Sequence, residues 1–294
     1  LAAIAVSVLV FSVSCNGEKE ETPTRNGTPK PPPKTVSVQV PEFNADSAYA
    51  YIQKQVDFGP RVPNSEGHAQ CADWLYQKLD EFSDQNSLQT APETTWDGTK
   101  ITMQNIVASF NPDAKKRVLL CAHWDTRPWA DEDIVDQDKP ILGANDGGSG
   151  VGVLIEIARQ LSQNPIDLGV DIVLFDAEDY GNSDIVDSYC LGSQYWSKKP
   201  HIPGYKAKYG ILLDMVGAEG AYFFQEGVSM HYAADVVKKV WETAHKAGYR
   251  QYFIFNQFDF SQLTDDHLYV NRYAKIPCID IIQYDKNNPK GFCL

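Results

Sequence analysis

Two stretches of the sequence decide the fold: VLLCAHWD at residues 118–125 and GANDGGSGVGVLIEIARQL at residues 143–161. The first is an apolar run that ends in polar residues, which is typical of a strand with both faces buried. In the second, apolar residues recur with helical spacing from Ser149 to Leu161, directly after a glycine-rich turn. A buried strand, a turn and an amphipathic helix in succession predict an α/β fold.

The same alternation of strands and helices continues along the chain. The predicted strands are Gln104–Phe110, Val118–His123, Asp171–Phe175, Gly210–Met215, Tyr252–Phe255 and Cys278–Ile282. The predicted helices are Ala45–Val56, Ala69–Phe82, Ser149–Leu161 and Met230–Ala247. Because several strands are apolar throughout, we predict a mostly parallel, twisted mixed sheet sandwiched between helices.

Composition narrows the class of protein. The chain has 294 residues, of which 43% are hydrophobic, so it can bury a large core and is neither wholly disordered nor fibrous. It carries 26 Lys and Arg against 39 Asp and Glu, a net charge of −13. Binding to a nucleic-acid backbone requires basic surfaces. We therefore predict no nucleic-acid partner.

The first 35 residues predict export and membrane attachment. Residues 1–14 are apolar but too few to span a bilayer, and a small residue precedes Cys15. We predict a lipoprotein-type signal peptide at 1–15, with a lipid anchor through Cys15, and a location in the cell envelope as a periplasmic or outer-membrane lipoprotein. A buried edge strand is the alternative. Residues 16–35 contain no apolar side chain and predict a disordered tether, which leaves one domain at 36–294.

Acidic and imidazole side chains follow several predicted strands where the strands end. They are His123 and Asp125 in HWD, Asp146 in NDGGSG, Glu178 and Asp179 in DAED, Asp214 in LLDMVG, and Asp265, Asp266 and His267 in TDDH. Sites in open α/β sheets gather at the carboxyl ends of strands, so we expect these groups to lie close together. Neighbouring carboxylates repel each other, and a bound cation would compensate that repulsion.

Each position also has a purely structural interpretation. Asp146 could form an Asx turn or cap a helix, and Asp265 and Asp266 could cap a short helix. Asp214 is harder to explain in this way, because a buried unpaired carboxylate is costly. In the functional interpretation, one carboxylate stays off the metal and moves protons. Glu178 has the longer side chain of its pair, so it could reach a substrate while Asp179 holds the cation.

The order of these motifs resembles the zinc aminopeptidase and glutaminyl cyclase superfamily. HxD, NDGGSG, AED, LLDMVG and DDH occur in that order, and FGPRVPNSEG at 58–67 resembles the opening segment of the family. The resemblance covers residues 45–294 and is nearest to the bacterial, Bacteroidetes-type glutaminyl cyclases. It implies a single catalytic domain at 36–294. It also implies zinc-dependent cyclisation of N-terminal glutaminyl residues of peptides or proteins to pyroglutamate, with release of ammonia.

The resemblance also implies roles for individual residues. Asp146 and Asp179 would hold one zinc ion, Glu178 would be the general acid and base, and Asp214 and Asp265 would form a supporting hydrogen-bond pair. The third zinc ligand of the family is a histidine beyond the last core strand, and no histidine follows position 267 here. We therefore expect that ligand beyond the last residue, 294, and regard the chain as C-terminally incomplete. His267 is the alternative third ligand.

Two other functions remain open. In a two-zinc aminopeptidase, His123 and Asp179 would hold different metals, Asp146 would bridge them and Asp214 would add a ligand. Glu178 would then activate a water molecule. The second alternative is a catalytically inactive binding lipoprotein.

Tryptophan and cysteine residues give less specific predictions. Trp124, Trp129 and Trp196 could contact a substrate, but they are equally suited to packing. The cysteines show no CxxC spacing, which argues against a zinc ribbon. Cys121 and Cys278 lie in apolar strand-like runs and are predicted to pack in the core.

Overall fold

A computed structural model of the chain describes residues 40–131, 133–259 and 263–284, without the side chains of 256–259. The predicted signal peptide, lipid anchor and tether fall within residues 1–39, outside the described residues, and they stay predictions. The same holds for the expected ligand beyond residue 294. Within the described part, no helix combines the length and the apolar character needed to cross a membrane.

A six-stranded mixed sheet forms the centre of the domain, and a separate pair of strands lies outside it. In chain order, the strands of both sheets are β1 Gln85–Thr94, β2 Lys100–Phe110, β3 Arg117–His123, β4 Gly169–Phe175, β5 Gly210–Asp214, β6 Phe223–Glu226, β7 Phe253–Asp259 and β8 Cys278–Ile282. The central sheet has the order β1-β2-β4-β3-β5-β8, and β6 pairs with β7 separately. Strands β4, β3, β5 and β8 pair in parallel, whereas β2 pairs antiparallel with β4 and β1 pairs antiparallel with β2. The predicted fold class is confirmed.

Helices cover both faces of this sheet. They are α1 Ala45–Asp57, α2 Glu66–Asp80, α3 Gly148–Gln163, α4 Leu191–Lys198, α5 Gly227–Lys246 and α6 Asp266–Tyr269, which continues into a π-helical turn at Val270–Ala274. The four predicted helices and six predicted strands are all present; β8 has its predicted ends, and the others are shifted at one or both ends. Strands β1 and β6 and helix α4 were not predicted, and α6 was anticipated only as a short helix that Asp265 could cap. In β1 only Ala91 is buried, because it is an edge strand joined to the sheet through its backbone rather than by an apolar face.

Successive side chains along a strand point to opposite faces of the sheet, so the sheet separates two layers of the core. Ile106 and Ala108 of β2 pack in one layer with Leu75 of α2 and Leu154 of α3. The residue between them, Val107, faces the other layer. That second layer also contains Cys121, Cys278 and Trp196 of α4, so both cysteines pack in the core as predicted.

Strand β3 lies at the point where the chain changes direction across the sheet. Helix α3 connects it to β4 on one side, and the chain then returns to place β5 on its other side. A crevice opens at the carboxyl end of such a switch point, because the connections leave in opposite directions. His123, the last residue of β3, is therefore placed in this crevice.

Helix α3 approaches the sheet closely at Gly150. A Cβ atom there would lie 2.1 Å from the carbonyl oxygen of Leu213 in β5. Because that neighbour is backbone, α3 would have to move away from the sheet, and we expect Gly150→Ala to lower the free energy of unfolding by about 1–3 kcal/mol. Ser162→Ala, on the exposed side of α3, is the control with little expected change. Denaturant unfolding measures both, and a Gly150→Ala protein of wild-type stability would contradict this close approach.

Candidate active site

His123 is at the centre of a buried group of carboxylates. Its Nε2 atom lies 3.0 Å from Asp146 Oδ1 and 3.2 Å from Asp214 Oδ1, and its Nδ1 atom lies 3.5 Å from Asp125 Oδ1. Burial by itself would lower the pKa of His123, but the three carboxylates outweigh it and raise that pKa well above its usual value. The ends of β3 and β5 thus meet the loop before α3, as the strand-end motifs predicted.

Asp146 does not cap the following helix, which was one of its two structural alternatives. The N-cap of α3 is Gly147, with a φ of 77°, and no side chain caps this helix. The Asp146 carboxylate instead points at the His123 ring, and its side chain stays 17% exposed. It is therefore available to a ligand in the crevice.

The Glu178–Asp179 pair is held in a fixed turn after β4. Ala177 has a φ of 53°, a conformation that is uncommon for a residue with a side chain and that turns the backbone sharply. Both oxygens of Asp125 then accept backbone hydrogen bonds, at 3.0 Å from the Glu178 nitrogen and 3.2 Å from the Asp179 nitrogen. From the sequence, Asp125 had no predicted role beyond closing the HWD motif. Its part in positioning the pair depends on contacts between residues more than fifty positions apart.

The cluster has an excess of buried negative charge. Burial first, and then Asp179, raise the pKa of Glu178 well above its usual value; burial and then Asp146 do the same for the pKa of Asp179. Burial raises the pKa of Asp214 to about 6, although its hydrogen bond with His123 opposes the shift. Such repulsion is what a divalent cation would relieve.

The donor atoms present would suit a metal ion. The buried Oδ2 atom of Asp179 has no hydrogen-bond partner. Ligand atoms of His123, Asp146 and Asp214 all lie within 4.8 Å of one another, and so do those of His123, Glu178 and Asp179. Asp146 and Asp179 are therefore both near the same imidazole ring. Imidazole nitrogen and carboxylate oxygen are donors that zinc accepts.

Asp265 lies beside Glu178. It caps α6, as its structural interpretation predicted, by accepting a hydrogen bond from the backbone nitrogen of Asp266. Its ligand atom also lies within 4.8 Å of those of Glu178 and Cys190, and the Cys190 thiol donates to Glu178 Oε1 at 3.2 Å. The Cys190 contact was missed because nothing in the sequence around it indicates chemistry. Asp214, the expected partner of Asp265, forms its hydrogen bond with His123 instead.

His267 lies in a different buried group. Its Nε2 atom is 3.0 Å from Glu226 Oε2, and its metal-ligand atoms group with those of Asp265 and Asp280. Asp146 and Asp179 do not belong to that group. The alternative role of His267 as third ligand is therefore not favoured by its surroundings.

The three tryptophans separate into two classes. Trp124 and Trp196 are completely buried; Trp124 stacks on His68 with ring centroids 4.4 Å apart. Both pack in the core. Trp129 is half-buried and contacts Tyr180, the residue after Asp179, with ring centroids 5.2 Å apart. It is the one of the three that lies beside the site.

Fold and site together define an α/β protein with an acid-rich, metal-type centre at the carboxyl edge of its sheet. Residues 105–290 match the model of peptidase family M28. The chain belongs to peptidase family M28. Zinc is therefore the metal that the family implies for this centre.

Solved structures extend the comparison over most of the chain. Glutaminyl cyclase from Tannerella forsythia is 52% identical, with a TM-score of 0.82 over 86% of this chain and 88% of that one. Glutaminyl cyclase from Porphyromonas gingivalis is 51% identical, with a TM-score of 0.83 over 85% and 88%. A Zn-dependent exopeptidase from Parabacteroides distasonis is 50% identical, with a TM-score of 0.84 over 87% and 89%.

Curated relatives are more distant. The glutaminyl-peptide cyclotransferase of Bos taurus is 27% identical over 138 residues, and that of Gloydius blomhoffii is 26% identical over 144 residues. These alignments cover 40% and 42% of this chain. The chain spans 37% and 38% of the length of those two proteins.

Proposed function

We propose that the protein is a zinc-dependent glutaminyl-peptide cyclotransferase that acts on peptides with N-terminal glutamine. The observation that carries the proposal is the Glu178–Asp179 turn, which Asp125 fixes beside His123 and Asp146. It puts a buried acid at the metal-type centre of a chain about half identical to solved glutaminyl cyclases.

The reaction joins two ends of the substrate's own first residue. The α-amine nitrogen forms a bond with the γ-carboxamide carbon, and the bond from that carbon to the amide nitrogen breaks to release ammonia. A zinc ion held by Asp146 and Asp179 would supply Lewis-acid polarisation of the γ-carbonyl. Because the reacting groups belong to one residue, much of the acceleration comes from holding the folded conformer of the substrate.

Glu178 is assigned the proton transfers. It takes a proton from the attacking amine and returns it to the leaving nitrogen. Burial raises the pKa of Glu178, which moves it toward the working pH and favours both steps. Asp265 beside it and Asp214 on His123 are assigned supporting positions.

A two-zinc aminopeptidase is the second candidate function. It is favoured by one observation: His123, Asp146 and Asp214 form a complete three-ligand group next to Asp179. A leucine aminopeptidase precursor from Bacteroides thetaiotaomicron, 51% identical with a TM-score of 0.80, is also among the similar structures. In that function Glu178 would activate water, and two metal ions would be required.

Product analysis separates the candidates. We expect the zinc-loaded protein to release ammonia from a Gln-peptide without releasing a free amino acid, with about one zinc ion per chain. Metal content and both products can be measured in the same samples. Amino-acid release from Leu-peptides with about two zinc ions would favour the aminopeptidase. If a zinc-loaded, full-length protein shows neither activity, the result would favour the binding lipoprotein.

A further inference from the structure

The turn between β1 and β2 lies beside the candidate active site. Strand β2 begins at the carboxyl edge of the sheet, where the Gln104 nitrogen donates to Asp176 Oδ2 at 2.7 Å. The turn itself is closed by a hydrogen bond from the Thr95 nitrogen to the Thr99 oxygen, at 2.9 Å. The hydroxyl of Tyr180, which follows Asp179, donates to Asp97 in this turn at 3.4 Å.

Three aromatic rings connect this turn to the site. Trp96 is 39% exposed, and its ring centroid lies 5.9 Å from that of Trp129. Trp129 in turn contacts Tyr180, whose ring is almost completely buried. The two indoles therefore form an accessible aromatic surface that leads from solvent to the residue next to Asp179.

Asp97 adds an uncompensated negative charge to this surface. It is exposed, and its hydrogen bonds come from Thr95, Thr99 and Tyr180, all of them neutral groups. The Thr95 hydroxyl, foremost among them, holds the pKa of Asp97 below its usual value. Within the part of the chain that the structure describes, no cationic side chain forms an ion pair with Asp97.

The nearby cation Arg127 is already engaged elsewhere. Its guanidinium forms an ion pair with Asp131 and donates to the backbone oxygen of Asp179 at 2.9 Å. It lies 5.8 Å from the centroid of the Trp129 ring. Arg127 therefore helps to fix this side of the site and leaves Asp97 and the Trp96 ring free to contact a substrate.

We propose that Trp96, Asp97 and Trp129 form a subsite for an arginine or lysine side chain at the second or third position of the peptide substrate. The exposed Trp96 ring would attract the cation and the Asp97 carboxylate would pair with it, whereas Trp129, which already faces Arg127, would contact the aliphatic part of the side chain. A neutral side chain would cover the indoles but leave Asp97 without a partner, and an acidic one would be repelled. This inference rests on the proposed function, because the peptide chain must extend from the metal-type centre.

Peptides that differ only in charge test the subsite. The zinc-loaded protein is assayed with Gln-Arg-Gly and Gln-Gly-Arg amides and with the same peptides containing citrulline, which keeps the shape of arginine without its charge. We expect kcat/KM for the arginine peptide to exceed that for its citrulline counterpart by about fivefold, at one or both positions. The ratio should fall toward one in ~0.5 M salt, because the contact is exposed.

Substitutions assign that preference to the subsite. Asp97→Asn keeps an oxygen for the Thr99 nitrogen, so the turn is retained; we expect the arginine-to-citrulline ratio to fall to about one while turnover of Gln-Gly-Gly amide stays within about twofold. Trp96→Ala should weaken the preference, and Trp96→Phe should keep part of it. Asp113→Asn is the matched control, since Asp113 is exposed in the loop before β3, at the opposite end of that strand from His123.

The outcomes distinguish the two proposals. Cyclisation of all Gln-peptides without a preference for arginine over citrulline would overturn the subsite and leave the cyclase intact. A preference that persists unchanged in Asp97→Asn would overturn it as well. If no Gln-peptide is cyclised, not even Gln-Gly-Gly amide, both the subsite and the cyclase proposals would be overturned.

Discussion

Glu178→Gln is expected to lower turnover of an N-terminal Gln-peptide by about 10²–10⁴-fold while the protein keeps its zinc. Glutamine has the shape of glutamate and can still accept the hydrogen bond from the Cys190 thiol. It cannot take a proton from the amine and return it to the leaving nitrogen. The backbone turn should not change, because Asp125 holds it through main-chain nitrogens.

Two companion variants separate proton transfer from metal binding. Asp179→Asn removes a proposed zinc ligand and should lose both zinc and activity. Glu81→Gln makes the same chemical change as Glu178→Gln on the surface at the end of α2, where Glu81 pairs with Lys78, and it should leave kcat unchanged. Steady-state kinetics and metal analysis of the three variants, compared with wild type, show whether each change affects proton transfer or zinc binding. Wild-type turnover by Glu178→Gln would show that the proton-transfer group is another residue.

Asp171→Ala is expected to lower the free energy of unfolding by about 3–5 kcal/mol. Asp171 is completely buried in β4, and its carboxylate accepts hydrogen bonds from Arg117 Nε at 2.7 Å and Nη2 at 2.6 Å. The hydroxyls of Ser109 and Tyr205 donate to the same carboxylate, at 2.6 Å and 2.7 Å. Its removal leaves a buried guanidinium and two buried hydroxyls without their acceptor.

The effect of Asp171→Ala should depend on pH. Burial by itself would raise the pKa of Asp171, but His201, Arg117 and Ser109 outweigh burial and hold that pKa well below its usual value of about 3.9. A lowered folded-state pKa gives stability that is complete above the unfolded-state pKa and is lost as pH falls through the folded-state pKa. The difference in the free energy of unfolding between wild type and Asp171→Ala should therefore be largest near pH 7 and should decrease below about pH 4.

An exposed ion pair provides the comparison for this buried one. Glu81→Gln breaks the pair with Lys78, and it should cost no more than about 0.5 kcal/mol. Urea unfolding of the three proteins at several pH values measures both effects. Equal stability of Asp171→Ala and Glu81→Gln would mean that the buried network contributes nothing beyond a surface pair.

Local patterns were sufficient for most of the secondary structure. The apolar runs at β3, β4 and β8 and the helical spacing in α3 each lie within one short segment, so they could be read directly. Strand β1 could not be predicted in this way, because most of its residues are polar and it is held in the sheet by backbone pairing with β2.

The sequence by itself determined the α/β class, the family resemblance and which acidic residues follow the strands, because each of these is a property of a short segment or of the order of segments. Only the tertiary structure decided how those residues combine. It put Asp125 under the Glu178–Asp179 turn, His267 on Glu226 and Trp96 beside Trp129. These contacts join residues 33 to 53 positions apart, and such distances close only when the strands take their order in the sheet.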